Sequence, residues 1–188
     1  MSLVERAKNI ILQPKQEWPV IDAEPTTTGE LYTGYIIPLS AIPPIARVIG
    51  FSLIGIGPFR FSLGSTISSA IAQYVLGLVG VYVLALIIDA LAPNFGGQKN
   101  QIQALKVAAY SSTAAWVAGI FAIFPALSVL GILGLYSLYL LYLGLPVLMK
   151  SPPDRALGYT AVVILAAIVI FIIISAIAAR LITYSVMP

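Results

Sequence analysis

The chain has 188 residues, of which 60% are hydrophobic and only 9% are charged, and its mean hydropathy is +1.00. A soluble domain carries about 25% charged residues, so this composition excludes a soluble globular protein. Intrinsic disorder is excluded as well, because disordered chains have low hydrophobicity. The composition is typical of an all-α polytopic membrane protein, and we expect a bundle of transmembrane helices.

The sequence contains no cysteine and no histidine. Disulfides, thiol catalysis, Cys/His zinc sites and a Ser-His-Asp triad are therefore excluded. Nucleotide-binding and metalloprotease signatures are also absent. We therefore predict no catalytic, metal-binding or cofactor-binding residues, and no enzymatic activity. The net charge of +3 comes from Lys and Arg scattered at segment ends, which favours membrane lipids over nucleic acid as partners.

Residues 1–30 form a polar N-terminal segment, cytosolic or interfacial, which holds five of the seven acids. Ser2 and Glu5 make a capping box at the start of a short amphipathic helix, and Pro14 is expected to end it. Trp18 follows, and this residue type favours the level of the lipid headgroups. Two placements of the helix stay open: in the membrane interface, or packed on the rest of the protein.

Residues 31–188 are predicted to form a domain of five transmembrane helices. Hydrophobic runs at about 31–54, 67–89, 104–124, 127–149 and 157–180 each reach the roughly 20 residues that one span needs. Several Pro and Gly residues interrupt the first run, so we expect a kinked helix whose freed carbonyls are bonded inside the protein. Phe124-Pro125 predicts a tight turn, which makes spans three and four an antiparallel hairpin.

Five spans place the two termini on opposite sides of the membrane. If the N-terminus is inside, the inner segments carry seven Lys and Arg, and the outer ones carry three, namely Arg47, Arg60 and Arg180. The positive-inside rule then predicts a cytoplasmic N-terminus and a C-terminus outside.

Three charges adjoin or interrupt the hydrophobic runs. Arg47 has two interpretations: its side chain reaches to the outer interface beside Arg60, which we favour, or it binds a lipid phosphate, pairs with an acid or lines a cavity. Asp89 and Lys106 flank the loop between spans two and three. We predict a structural ion pair between them, which would orient the loop that contains Gly96, Gly97 and Lys99.

Two helix faces carry further signals. Ser111, Ala115 and Gly119 recur every four residues, and such a stripe of small residues lets another helix approach closely. Packing within the chain is the favoured interpretation, and a homo-oligomer face is the alternative. Tyrosines on spans three and four are candidates for bonds between helices or for the lining of a polar crevice: Tyr110, Tyr136 and Tyr139.

Several of these segments resemble the Yip family of integral membrane proteins in its bacterial form. The stretch 30–34, followed by Pro38, is similar to the family's D-L-Y-G-P element, with Glu30 for Asp, an inserted Thr33 and a later Pro. The stretch 106–111 resembles a leucine-rich segment that ends in Gly-Tyr-Ser, with Ala109 in place of the glycine. Stretches 89–99 and 134–145 look like segments shared by bacterial members. The positions that carry the resemblance include Glu30, Tyr32, Gly34 and Pro38.

The resemblance implies five transmembrane helices and a cytosolic N-terminus, and we expect the bacterial inner membrane as the location. Eukaryotic relatives bind Rab GTPases in vesicle formation, but an N-terminal segment of about 30 residues does not support a transfer of that role. Our first hypothesis is a non-enzymatic membrane protein that organises lipids, other membrane proteins or copies of itself. The alternative is a small transporter or channel with a polar cavity between the helices.

Overall fold

The computed structural model describes residues 1–55, 59–181 and 186–187. Two short helices, α1 (Leu3–Leu12) and α2 (Pro14–Ala23), precede five helices long and apolar enough to cross a membrane. These are span 1 (Thr28–Ile54), span 2 (Leu63–Phe95), span 3 (Gln101–Ile123), span 4 (Pro125–Leu148) and span 5 (Pro153–Ala179). The predicted all-α fold with five spanning helices is confirmed. The side chain of Arg180 lies outside the described residues.

α1 begins at the predicted capping box. The backbone N–H of Glu5 donates to Ser2 Oγ at 3.2 Å, and the N–H of Ser2 donates to Glu5 Oε2 at 2.9 Å. The backbone hydrogen bond from Ser2 lowers the pKa of the Glu5 carboxyl. The helix ends at Leu12, as expected, but Pro14 then starts a second helix that the sequence analysis missed. Proline is tolerated there because the first helical residues have no intrahelical acceptor for their N–H groups.

Span 1 is a series of short helical pieces. It contains α-helical segments Thr28–Leu31, Ile37–Ser40 and Ile42–Val48, and π-helical segments Tyr32–Ile36 and Ile49–Ile54. At the break after Ser40, the N–H of Ala41 donates to Leu39 and not to Ile37. The carbonyl of Ile37 instead accepts a hydrogen bond of 2.9 Å from the Tyr74 hydroxyl. This is the expected internal bonding of a carbonyl freed in an interrupted span.

Each of the other four spans combines α-helical and 3-10 segments. Span 2 combines the α-helix Leu63–Leu91 with the 3-10 turn Ala92–Phe95, and span 3 combines Gln101–Ser111, Thr113–Ala118 and the 3-10 segment Gly119–Ile123. Phe124 is extended, so spans 3 and 4 form the predicted hairpin. Span 4 contains the 3-10 segment Pro125–Leu135 and the α-helix Tyr136–Leu148. Span 5 begins with the 3-10 turn Pro153–Arg155 and continues as the α-helix Ala156–Leu181, which extends beyond the span. The strands Arg60–Phe61 and Val186–Met187 pair antiparallel.

The hydrophobic core lies in the half of the bundle that carries α1 and α2. Every span contributes fully buried side chains there, including Ile36, Ile88, Leu105, Leu140 and Tyr159. We call this half the core half and the other the distal half. The bundle is therefore densely packed on the side of the N-terminal helices.

The stripe of small residues on span 3 packs within the chain. A Cβ at Gly119 would lie 2.6 Å from Cγ of Pro43, so span 1 approaches its backbone directly. The N–H of Ala115 donates to Ser137 Oγ of span 4 at 3.0 Å. These contacts agree with the favoured interpretation of the stripe, packing between helices of one chain.

Candidate functional site

The core half is capped by the α1–α2 pair through buried charges. The Arg6 guanidinium pairs with Glu17 at 2.5 Å and with Glu24, and both Arg6 and Glu17 are 5% exposed. Burial opposes the charge of Arg6, but the hydrogen bond and charge of Glu24, together with the charges of Tyr110 and Glu17, raise the pKa of Arg6. Arg6 therefore stays cationic, and the N-terminal helices pack on the protein, which is the second of the two predicted placements.

The predicted ion pair between Asp89 and Lys106 is not formed. Lys106 is buried, and its Nζ donates to the carbonyls of Ile21 at 2.8 Å and Glu24 at 2.6 Å. The last carbonyls of a helix have no intrahelical donor, so the end of α2 offers a lysine ready acceptors. Asp89 Oδ1 is buried and accepts no hydrogen bond from the described residues. The prediction is wrong because α2, which the sequence analysis missed, supplies the partner of Lys106.

Tyr110 lies beneath the two N-terminal helices. Its ring centroid is 4.5 Å from that of Tyr35 and 6.4 Å from that of Trp18, and Arg6 Cζ lies 5.9 Å from it. Trp18 is fully buried, so its ring contacts protein side chains and is not exposed to lipid headgroups. The cluster of Trp18, Tyr35 and Tyr110 closes the core half against the α1–α2 pair.

Tyr136 and Tyr139 lie on the same side of the bundle. The Tyr136 hydroxyl donates to the carbonyl of Ile11 at 3.0 Å, which ties span 4 to α1. The Tyr139 ring lies beside it, with ring centroids 5.4 Å apart. Both rings line a small surface cavity of about 320 Å³ beside the α1–α2 junction. The Tyr136 hydroxyl thus attaches α1 to span 4.

The residues that carry the family resemblance on span 1 have structural contacts. Glu30 accepts a 2.9 Å hydrogen bond from the backbone of Thr27 in a second capping box, and the Tyr32 hydroxyl donates to the Leu78 carbonyl at 2.8 Å. A Cβ at Gly34 would meet no atom within 4 Å among the described residues. Pro38 is the second residue of the segment Ile37–Ser40, directly after the π-helical turn.

The loop between spans 2 and 3 is fixed by backbone contacts. Gly96 adopts a φ of 71°, which favours glycine, and a Cβ at Gly97 would lie 2.6 Å from the carbonyl oxygen of Met149. The N–H of Gln98 donates to that same carbonyl at 2.8 Å, whereas Lys99 is exposed. Close approach to the end of span 4 therefore orients this loop, in the role predicted for the Asp89–Lys106 pair.

The distal half contains a cavity of about 840 Å³ to which all five spans contribute. Small and apolar residues such as Ala70, Gly77 and Ala118 make up much of its wall, together with large aromatic side chains. Its polar lining comes mainly from spans 1 and 2: Ser40, Arg47, Thr66, Ser69, Gln73 and Tyr74. Tyr110, Tyr136 and Tyr139 are not among the lining residues that the structure describes.

Arg47 is the charged residue among the described lining residues of this cavity. Its side chain is exposed, and Nη1 donates to Gln73 Oε1 at 2.7 Å. Gln73 Nε2 in turn donates to Ser69 Oγ at 3.0 Å. Gln73 was not among the residues predicted from the sequence. Its amide lies four residues after a serine in an uncharged run, and this spacing could have indicated a polar pair on one helix face. Within the described ranges, no group of three His, Cys, Asp or Glu side chains is placed to hold a metal ion.

Comparison with known proteins gives one family and two relatives. The family model of the Yip1 domain matches residues 8–174. The chain is 28% identical over 112 residues to the inner membrane protein YohC of Escherichia coli strain K12, and to the protein of that name from E. coli O6:H1 strain CFT073. Each alignment covers 57% of this chain and 57% of the relative, so the match spans little more than half of those proteins. No solved structure matches the chain.

Proposed function

The chain belongs to the Yip1 domain family, and from this premise we propose that it is a non-enzymatic membrane protein that binds lipid in its distal cavity. By doing so it organises the lipid that surrounds it. The relatives are named as inner membrane proteins, and we propose the same membrane for this chain, with its N-terminus in the cytoplasm. The lipid would then enter from the outer leaflet, because the cavity lies opposite the N-terminal helices.

The observation that carries the proposal is the cavity itself. Its volume of about 840 Å³ lies in the range of about 300–1,000 Å³ that is typical of small-molecule sites. The wall combines aromatic and aliphatic side chains with a few polar groups clustered on spans 1 and 2. An amphiphile, with one polar and one apolar end, matches this division better than a polar solute does.

Transport, the alternative function, has less support. The core half is filled by fully buried side chains from every span, and the α1–α2 pair covers its end with the Arg6–Glu17 ion pair. A solute crossing the bundle would have to separate this packed core. A lipid that enters and leaves the distal half on one side needs no such opening.

A cavity-filling substitution tests the proposal. Gly77 lines the cavity, and a Cβ there would meet no atom within 4 Å among the described residues. Gly77→Leu should therefore fill the cavity without distorting the fold, and the purified protein should retain several-fold less lipid. Native mass spectrometry of the protein released from detergent micelles measures the lipid bound per chain.

Gly64→Leu is the matched control. Gly64 also lies on span 2 with open space around its Cβ position, but it does not line the cavity. This variant should retain as much lipid as the parent protein. Equal lipid retention in Gly77→Leu and Gly64→Leu, or a parent protein that retains none, would contradict lipid binding in the cavity.

A further inference from the structure

We infer that the distal cavity selects lipids with an anionic phosphate headgroup, that Arg47 binds the phosphate, and that Gln73 positions the Arg47 guanidinium. This inference rests on the proposed lipid binding and adds the chemical class of the lipid. Each part follows from the charges and hydrogen bonds of the described residues that line the cavity.

The first support is charge. Arg47 carries a positive charge, and no acid occurs among the described lining residues. Five of the seven acids of the chain lie in residues 1–30, and the other two, Asp89 and Asp154, lie near the ends of spans 2 and 5 on the core side. Among the described residues, the distal side therefore offers Arg47 no side-chain carboxylate. A cation in a membrane helix is costly unless it is paired, so an anionic ligand compensates a charge that the protein leaves unneutralised.

The second support is the choice of a neutral partner. Gln73 accepts one N–H of Arg47 at 2.7 Å, and the buried Ser69 hydroxyl accepts from the Gln73 amide at 3.0 Å. With its Nε2 bonded to Ser69, the amide turns its oxygen to Arg47. This bond orients the guanidinium but leaves its charge in place, whereas a glutamate at position 73 would neutralise it.

The third support is the number of remaining donors. A guanidinium has five N–H groups. Within the described part of the chain, Arg47 uses one of them in its hydrogen bond to Gln73. The remaining donors suit two oxygens of one phosphate, since planar bidentate pairing is the strong mode for arginine. Arg47 can therefore bind a phosphate and keep its bond to Gln73.

The fourth support concerns discrimination between headgroups. Phosphatidylethanolamine, a zwitterionic lipid, adds an ammonium group to the phosphate, and a carboxylate is the partner that would offset the desolvation of this cation. The described lining residues place a second cation, Arg47, beside it instead. Phosphatidylglycerol, whose glycerol headgroup is uncharged, satisfies Arg47 without this repulsion. The apolar wall, including Phe51, Trp116 and Phe171, then contacts its acyl chains.

A lipid competition measures the selectivity. The full-length protein is titrated with phosphatidylglycerol or phosphatidylethanolamine of identical acyl chains, and bound lipid is counted by native mass spectrometry. We expect the parent protein to bind phosphatidylglycerol about tenfold more tightly, as one charge-assisted bidentate pair warrants. Arg47→Gln should bind both lipids with equal affinity, and Arg47→Lys should keep part of the preference because it keeps the charge.

Arg60→Gln is the control, because Arg60 is exposed on the same side of the bundle but does not line the cavity. It should keep the full preference. Equal binding of the two lipids by the parent overturns the inference and leaves lipid binding standing, whereas absence of both lipids overturns the proposed function itself. The inference also fails if Arg47→Gln keeps the preference or loses both lipids alike, or if Arg60→Gln loses the preference.

Discussion

Gly144 determines how closely α2 approaches span 4. A Cβ at this position would lie 2.6 Å from Cζ2 of Trp18, and the indole is fully buried against the helix backbone. Trp18 also makes an edge contact with the Tyr110 ring. One residue without a side chain thus gives α2 a flat docking surface.

Gly144→Ala is expected to destabilise the protein. The added methyl group displaces the Trp18 ring, and overpacking of this kind costs about 1–3 kcal/mol. The midpoint of thermal unfolding in detergent should fall by several degrees. Gly131→Ala, on the same span, is the control, since a Cβ there meets no atom within 4 Å among the described residues. A midpoint that falls equally in both variants would show that the Trp18 contact has no special role.

Lys106 shows how a buried charge is accommodated without a direct ion pair. Its ammonium group donates to two carbonyls at the end of α2, and the Ile21 bond measures 2.8 Å. The negative end of the helix dipole favours a cation at this place. Asp89 is consequently independent of Lys106, so a change at Asp89 is not expected to act through that lysine.

At the scale of elements, α1 and α2 form one unit held by the Arg6 ion pairs. Arg6 and Glu17 are each 5% exposed, so each charge depends on the other for compensation. Removal of one partner of a buried pair costs about 3–5 kcal/mol, because the remaining charge is left unpaired in an apolar place. The pKa of Arg6 is raised, so loss of a proton from Arg6 does not release this pair in the neutral pH range.

Arg6→Met should therefore detach α1 and α2 from the bundle. The chain has no cysteine, so one introduced cysteine reports the change without background. Ala7→Cys lies on the buried face of α1 and should react slowly with a maleimide in the parent protein but at least about tenfold faster beside Arg6→Met. Lys8→Met, an exposed change on the same helix, should leave the slow rate unaltered. Slow labelling in the Arg6→Met protein would show that other contacts hold the helices.

In span 1, breaks in the helix that come from its own sequence are compensated by hydrogen bonds from a neighbouring span. Its prolines and π-helical turns free carbonyls, and side chains of span 2 bond them, as the Tyr74 hydroxyl does for Ile37. The same two spans hold Arg47 and Gln73 together. The contact between spans 1 and 2 thus bonds the freed carbonyl of the interrupted helix and also forms the polar edge of the cavity.

At the scale of the whole molecule, the bundle has a packed core half and a distal half with a cavity. The α1–α2 pair adds contacts to spans 3 and 4, as the Lys106 and Tyr136 bonds show. The distal half has no such cover from the described N-terminal helices. This asymmetry leads us to propose that lipid binds in the distal half.

The proposed orientation is tested with reporters. Alkaline phosphatase fused after residue 188 should be active, and green fluorescent protein at the same place should be dark, because a C-terminus outside the cytoplasm activates the first and prevents folding of the second. A phosphatase fusion after Lys99 should be inactive, since this loop is on the side of the N-terminal helices. An inactive C-terminal phosphatase would contradict a C-terminus outside the cytoplasm.

The sequence by itself determined the five spans, the hairpin between spans 3 and 4 and the capping box of α1. These features depend on the length of a hydrophobic run or on residues three positions apart, so they can be read locally. Only the tertiary structure decided the partner of Lys106, which lies 85 residues away, and that of Arg47, which lies 26 residues away. Such contacts depend on which faces of separate helices meet. Hydrophobic periodicity is weak in helices that are apolar all round, so the sequence left those faces, and the cavity between them, undetermined.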